Sequence, residues 1–133
     1  MGGVVADTHA AVWYIVQPDK LSPAARAVLK QTATGGDSIY VSAISIVEVC
    51  YLVEKGKLSA TVLQRLIDAL ADIDSALVVF PVNFDVAIAL QQIPRIAVPD
   101  MPDRIIAATA LHLSLPLITR DRRIQAASIS TIW

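Results

Sequence analysis

Short apolar runs alternate with longer stretches of helical period along almost the whole chain. Residues 3–6, 38–41, 76–81, 117–119 and 130–132 are brief, apolar or β-branched, and bounded by polar or turn residues, which predicts five strands. Between them the spacing predicts helices over 8–16, from Pro23 to about residue 31, over 43–55, after Ser59, from Asn83 to about residue 92, and over about 103–114. A short helical turn follows from Arg122. The punctuation agrees. Ser22-Pro23 supplies a cap and a proline at the first helical position, and Thr34-Gly35-Gly36 breaks that helix. Gly56 closes the helix over 43–55. Val62, Leu63, Leu66, Ile67, Leu70 and Ile73 make one apolar stripe, so two helices form a hairpin at about 43–73. Strands separated by helices predict a parallel sheet covered on both faces, a three-layer α/β/α sandwich.

Composition narrows the class. A chain of 133 residues makes one domain, over 1–133, with room for a core, and 55% hydrophobic against 17% charged residues excludes disorder. The mean hydropathy of +0.58 is high. Yet no run approaches the ~18 uninterrupted apolar residues of a membrane span. The excess is expected in a sheet buried on both faces, or in a surface that a partner covers. One cysteine, Cys50, excludes a disulfide framework and fits a reducing, cytoplasmic setting; no signal peptide is expected, since the first residues lack a basic region. The net charge of −1 favours no class of partner, although Arg104, Arg120, Arg122 and Arg123 lie close to acids in sequence.

In such sheets ligands bind beyond the carboxyl ends of the strands. Asp7 ends the first strand and Asp121 follows the fourth, while Asp103 begins the helix leading into the fourth. Topology therefore brings three acids to one edge. Glu48 borders the apolar face of its helix beside Ile44, Tyr51 and Leu52, with no Lys or Arg at i±3 or i±4 to pair with it. Four gathered carboxylates repel unless a cation neutralises them, and oxygen-only ligation suits Mg²⁺ or Mn²⁺. Such ions activate water for phosphodiester hydrolysis. The acids alone do not name the substrate. Simpler roles compete at each position. Asp7, Asp103 and Asp121 would serve as helix caps, Asp100 as a cap or turn in its loop, and Glu48 as a solvated helix edge. His9 and His112 are expected to pack or hydrogen-bond; Thr119 orients a water or merely suits a strand; Arg120, Arg122 and Arg123 form a solvated face or meet phosphate. Capping explains three acids separately and leaves Glu48 unexplained.

Four segments together carry a family likeness: Val5-Ala6-Asp7-Thr8-His9; Val41-Ser42-Ala43-Ile44-Ser45-Ile46-Val47-Glu48, followed by Lys55-Gly56-Lys57-Leu58; Asp100-Met101-Pro102-Asp103-Arg104-Ile105-Ile106-Ala107-Ala108-Thr109-Ala110; and Leu117-Ile118-Thr119-Arg120-Asp121-Arg122-Arg123-Ile124. In order and spacing the chain resembles the PIN domain family, and within it the VapC-type toxin ribonucleases. The resemblance implies a five-stranded parallel sheet and a Mg²⁺- or Mn²⁺-dependent endoribonuclease acting on RNA of the tRNA or rRNA class. It carries Asp7, Glu48, Asp103 and Asp121 over as the catalytic and metal-site acids, with Thr119 as an accessory; Asp100, beside Asp103, is a further accessory candidate. Arg104 and Arg120 become candidate phosphate contacts. It also implies a homodimer and a cognate antitoxin covering the groove. One departure is Met101-Pro102 between the acids, where the family more often has Pro and then an aromatic residue. The alternatives are a PIN-like binding module without catalysis and a Mg²⁺ phosphatase of the haloacid dehalogenase type. The latter wants an acid two residues after Asp7, where this chain has His9.

Overall fold

The computed structural model describes residues 2–133. Its central strand, β1 (Val4–Ala6), pairs in parallel with β2 (Ile39–Ser42) on one side and β4 (Leu117–Ile118) on the other. β3 (Leu77–Phe80) continues outward from β2, and β5 (Thr131–Ile132) from β4. The order is β3-β2-β1-β4-β5, all parallel. The connecting helices are α1 (Thr8–Val16), α2 (Pro23–Thr34), α3 (Ala43–Glu54), α4 (Ala60–Ala71), α5 (Phe84–Ala89), α6 (Met101–Leu113) and the single turn α7 (Arg122–Gln125). No helix among the described residues is long and apolar enough to cross a membrane.

The three layers follow from the period-2 alternation of the strands. Val4, Ala6 and Ile118 pack on one face with Ala10 and Ala11 of α1 and Ala25 and Leu29 of α2. Val5 and Leu117 pack on the other with Val86 of α5 and Ile106, Ala107 and Ala110 of α6. Val12, Val49 and Leu66 join α1, α3 and α4 in a smaller cluster. Full burial of each Val, Leu or Ile stabilises by roughly 1.5–3 kcal/mol. Much of the chain's apolar excess is used here, on the inner strands of a sheet that helices cover on both faces, while edge strand β3 leaves Val78 and Val79 exposed.

Element ends differ from the sequence expectation for local reasons. α2 runs one turn further, to Thr34, where Gly35 caps it. α5 gives way at Leu90 to a 3₁₀ turn, Leu90–Gln92. α6 begins at Met101 rather than 103, because Asp100 caps it and Pro102 sits in the first turn, whose N–H groups have no intrahelical acceptor to lose. β1 begins at Val4 rather than residue 3, since Gly3 has φ of 90°, a left-handed conformation open to glycine. A Cβ there would lie 2.1 Å from the Ser38 carbonyl oxygen, beside the point where Val4 N–H bonds that same oxygen. Gly3→Ala therefore combines an unfavourable φ with a backbone clash. It is expected to cost about 2 kcal/mol or more, read as a lower urea midpoint with an unchanged slope.

Candidate functional site

Consecutive strands step away from β1 in opposite directions, β2 to one side and β4 to the other, so a crevice opens beyond the carboxyl ends of β1 and β4. Asp7 enters it directly from β1. Its N–H donates to the Ile118 carbonyl (3.1 Å), and its carboxylate accepts from Ala10 N–H (2.8 Å), capping α1. Thr119, wholly buried, accepts from Asp121 N–H (3.0 Å), and the same hydroxyl favours the charged form of the Asp7 carboxylate. A single hydroxyl thus acts on the acids that follow both β1 and β4. Asp121 in turn caps α7 through Arg123 N–H (2.8 Å).

The third and fourth contributions come from helices. Half-buried Glu48, in the middle of α3, accepts from the hydroxyl of Thr8. That hydroxyl also lies 2.8 Å from Ser45 Oγ. It has one proton and an ionised carboxylate only accepts, so Thr8 donates to Glu48 and Ser45 donates to Thr8. At the start of α6, Asp100 is the cap, accepting from Asp103 N–H (3.3 Å), and Asp103 lies in the first turn. The capping role expected for Asp103 therefore belongs to Asp100. A cavity of about 440 Å³ gathers Asp7, Glu48, Asp100, Asp103 and Asp121, with Thr8 and His9 from α1 and Arg120 and Arg123 beyond β4.

Crowded negative charge dominates this cavity. Burial pushes the Asp7 carboxyl upward and nearby Asp121 adds to it, opposed by the Thr119 hydroxyl, the Ala10 N–H and His9. Glu48 is raised by burial and then by Asp100 and Asp7, while Thr8 and His9 oppose. Asp103 is pushed up to about 7, first by burial, then by Asp100, Asp121 and Glu48, with a hydrogen bond to Asp121 favouring its protonated form. A divalent cation would relieve this repulsion, and an all-oxygen donor set suits Mg²⁺ or Mn²⁺. Among the described residues no three His, Cys, Asp or Glu side chains converge tightly enough to cage an ion. An open cavity suits Mg²⁺, which keeps several waters and takes one or two carboxylates directly.

The arginines divide. Arg120 and Arg123 line the cavity. Arg104, expected to meet phosphate, is instead turned away: its guanidinium donates to the carbonyls of Leu90 (3.1 Å) and Ile93 (2.9 and 3.1 Å), holding the 3₁₀ turn that precedes α6. A backbone carbonyl cluster 11 to 14 positions upstream outcompetes the open cavity for those donors. His112 packs against Phe80, with ring centres 5.9 Å apart. His9 packs against Trp13 at 5.4 Å and also lines the cavity. Thr8 and Ser45 are not among the candidate site residues read from sequence, and Arg123, offered there as a solvated or phosphate-facing residue, lines the cavity. The i, i+3 spacing of Ser45 and Glu48 puts them on one helical face and is the signal that was available.

The PIN domain family matches this chain over residues 4–129. Ribonuclease VapC22 of Mycobacterium tuberculosis (strain ATCC 25618 / H37Rv) is 31% identical over 127 residues, covering 95% of this chain and 92% of that protein. Among solved structures, VapBC2 from Rickettsia felis, crystallised bound to a DNA fragment from their promoter, superposes with a TM-score of 0.71 at 17% identity, covering 96% of each chain. FitAcB from Neisseria gonorrhoeae superposes with a TM-score of 0.63 at 25% identity, covering 96% of this chain and 95% of that one. The chain belongs to the PIN domain family.

The electrostatics predict a pH dependence. Asp103 holds its proton more tightly folded (about 7) than at its ordinary value of 3.8, so between these values the folded state binds more protons than the unfolded. Stability therefore falls as pH rises through that window; the upward shifts of Asp7 and Glu48 act with the same sign. Asp103→Asn is expected to melt above the parent protein in EDTA at about pH 8, with the gap closing towards about pH 4. A gap independent of pH would refute the repulsion.

Proposed function

We propose that this member of the PIN domain family is a divalent-metal-dependent endoribonuclease, the toxin of a toxin–antitoxin pair, folded as one domain over 1–133 and working in the cytoplasm. The observation that supports it is the convergence of Asp7, Glu48, Asp103 and Asp121 on one cavity at the sheet's switch point, flanked by Arg120 and Arg123. Asp7, Asp103 and Asp121, with Glu48 directly or through water, would hold Mg²⁺ or Mn²⁺. The bound ion supplies positive charge for an in-line displacement at phosphorus and lowers the pKa of water.

The chain's own residues do the rest. Thr119 holds the backbone of Asp121 and favours the charged form of Asp7, and so acts on two acids from different strands. Thr8, itself oriented by Ser45, fixes Glu48. Asp100 caps α6 and sets Asp103 in its first turn. Arg120 and Arg123 draw the phosphate to a mouth that the acids alone would repel. Water adds to phosphorus and one P–O ester bond of the RNA chain breaks.

Partners follow from the surface. Val47 and Tyr51, one turn apart on α3, and Phe84 and Ile88, one turn apart on α5, remain exposed, although both helices pack against α6. We assign these faces to a homodimer. The pairing of VapB with VapC in the R. felis complex supports an antitoxin as the second partner.

The test is cleavage of total cellular RNA by antitoxin-free protein with Mg²⁺, Mn²⁺ or EDTA. Discrete fragments should require the metal, and Asp7→Asn and Asp103→Asn should each cut the rate by more than about a hundredfold. Thr119→Val, which removes only the hydroxyl acting on two acids, should lose about tenfold or more in activity or metal affinity. Unchanged cleavage by Asp103→Asn would overturn the site.

A further inference from the structure

We propose that Trp13 is a positioning residue for the acidic centre: its ring seats the Arg120 guanidinium at the edge of the cavity and so withholds an internal cation from the carboxylates that would hold a metal ion. This rests on the reading that those acids bind a divalent cation. Arg120 stands between two fixed points. Before it, Thr119 N–H donates to the Ile132 carbonyl (3.1 Å); after it, Asp121 N–H donates to the Thr119 hydroxyl (3.0 Å). Its backbone is therefore set beside an acid of the cavity, and only its exposed side chain has a choice of direction. Turned inward, the guanidinium would meet carboxylate oxygens, the acceptors its fork of N–H groups pairs with best. It lies over Trp13 instead, with its central carbon 4.9 Å from the ring centre.

The ring is held where it can do this. Trp13 is half-buried on α1 and packs against the core cluster that includes Ala10, Ala11 and Ile118. His9, one turn earlier on α1, meets it at 5.4 Å and a tilt of 46°, and Trp133, just beyond β5, at 6.0 Å and 53°. Arg120 lines the acidic cavity and Trp13 does not, so the seat lies just outside the acids. Tryptophan is the strongest aromatic partner for a cation, and a guanidinium sheds its hydration more readily than an ammonium. Lys20 is drawn to the same ring, at 5.8 Å. Packing accounts for the buried part of Trp13. It does not decide where a long, exposed arginine side chain goes. Arg104 offers the parallel case: the carbonyls of Leu90 and Ile93 keep its guanidinium out of the cavity. Trp13 does for Arg120 what those carbonyls do for Arg104.

Mn²⁺ binding to the full chain, read from the electron paramagnetic resonance of the free ion, tests the seat without any substrate. Trp13→Leu should weaken binding about fivefold, the worth of one cation–π contact near the surface. Arg120→Gln alone should not weaken it, and in that background Trp13→Leu should cost less than about twofold. Trp13→Phe, which keeps a ring, should restore most of the loss. A Trp13 that only packs would cost the same with or without Arg120. A second, metal-free reading needs no change at Trp13. Both of the chain's tryptophans lie in this cluster, so in EDTA Arg120→Gln should alter the intrinsic emission and Arg122→Gln should leave it as it is. Equal loss of Mn²⁺ affinity in the two backgrounds, no loss in folded Trp13→Leu, or emission indifferent to Arg120 would overturn the seat. Mn²⁺ bound alike by the parent protein and Trp13→Leu would remove the seat and leave the metal centre. No Mn²⁺ bound by the parent protein would remove the metal centre, and the role of the seat with it.

Discussion

Repulsion among five carboxylates in one crevice is the constraint around which the rest of the site is arranged. Asp7, Glu48, Asp100, Asp103 and Asp121 come from four different elements, and the burial of Asp7 with the partial burial of Glu48 and Asp103 weakens the screening between them. The fold tolerates this partly through its helix starts. Asp7, Asp100 and Asp121 each cap a helix, where peptide N–H groups and the positive end of the helix dipole favour negative charge. A cap uses one oxygen of a carboxylate and leaves a second. Capping and a shared cation are therefore compatible uses of the same acid, not competing accounts of it.

Neutral hydroxyls, rather than lysines, hold these acids in place. Thr119 holds the backbone of Asp121 and favours the charged form of Asp7, and Ser45 and Thr8 hold Glu48. An ammonium group in either position would orient the carboxylate but also cancel its charge, and would compete with any cation for the cavity. A hydroxyl fixes direction and leaves the charge available. Arg104 follows the same economy, with its guanidinium held by carbonyls of the preceding turn, outside the acidic cavity.

Apolar surface is distributed as deliberately as charge. The sheet is covered on both faces, yet α3 and α5 still expose Val47, Tyr51, Phe84 and Ile88. The half-buried Trp13 ring has His9 at 5.4 Å and Trp133 at 6.0 Å, with the Arg120 guanidinium 4.9 Å above it. Exposed apolar faces such as those of α3 and α5 suit another protein.

The sequence by itself determined the elements and the edge at which the acids meet. Strand and helix periods, the Ser22-Pro23 start, the Gly35-Gly36 break and the right-handed βαβ rule all act over neighbouring residues or through topology alone. They are enough to bring Asp7, Asp103 and Asp121 together, and the missing partner of Glu48 was visible one helical turn either way. Pro102 sits within α6 without breaking it, because a proline breaks a helix only where an N–H is needed. Only the tertiary structure decided which acid caps α6, that Thr8 reaches Glu48 across 40 positions, that Arg104 faces carbonyls, and that Arg120 rests on Trp13. Such choices are competitions between partners distant in the chain, settled by which donor and acceptor the packed core brings within about 3 Å. No period or spacing in the sequence encodes that distance.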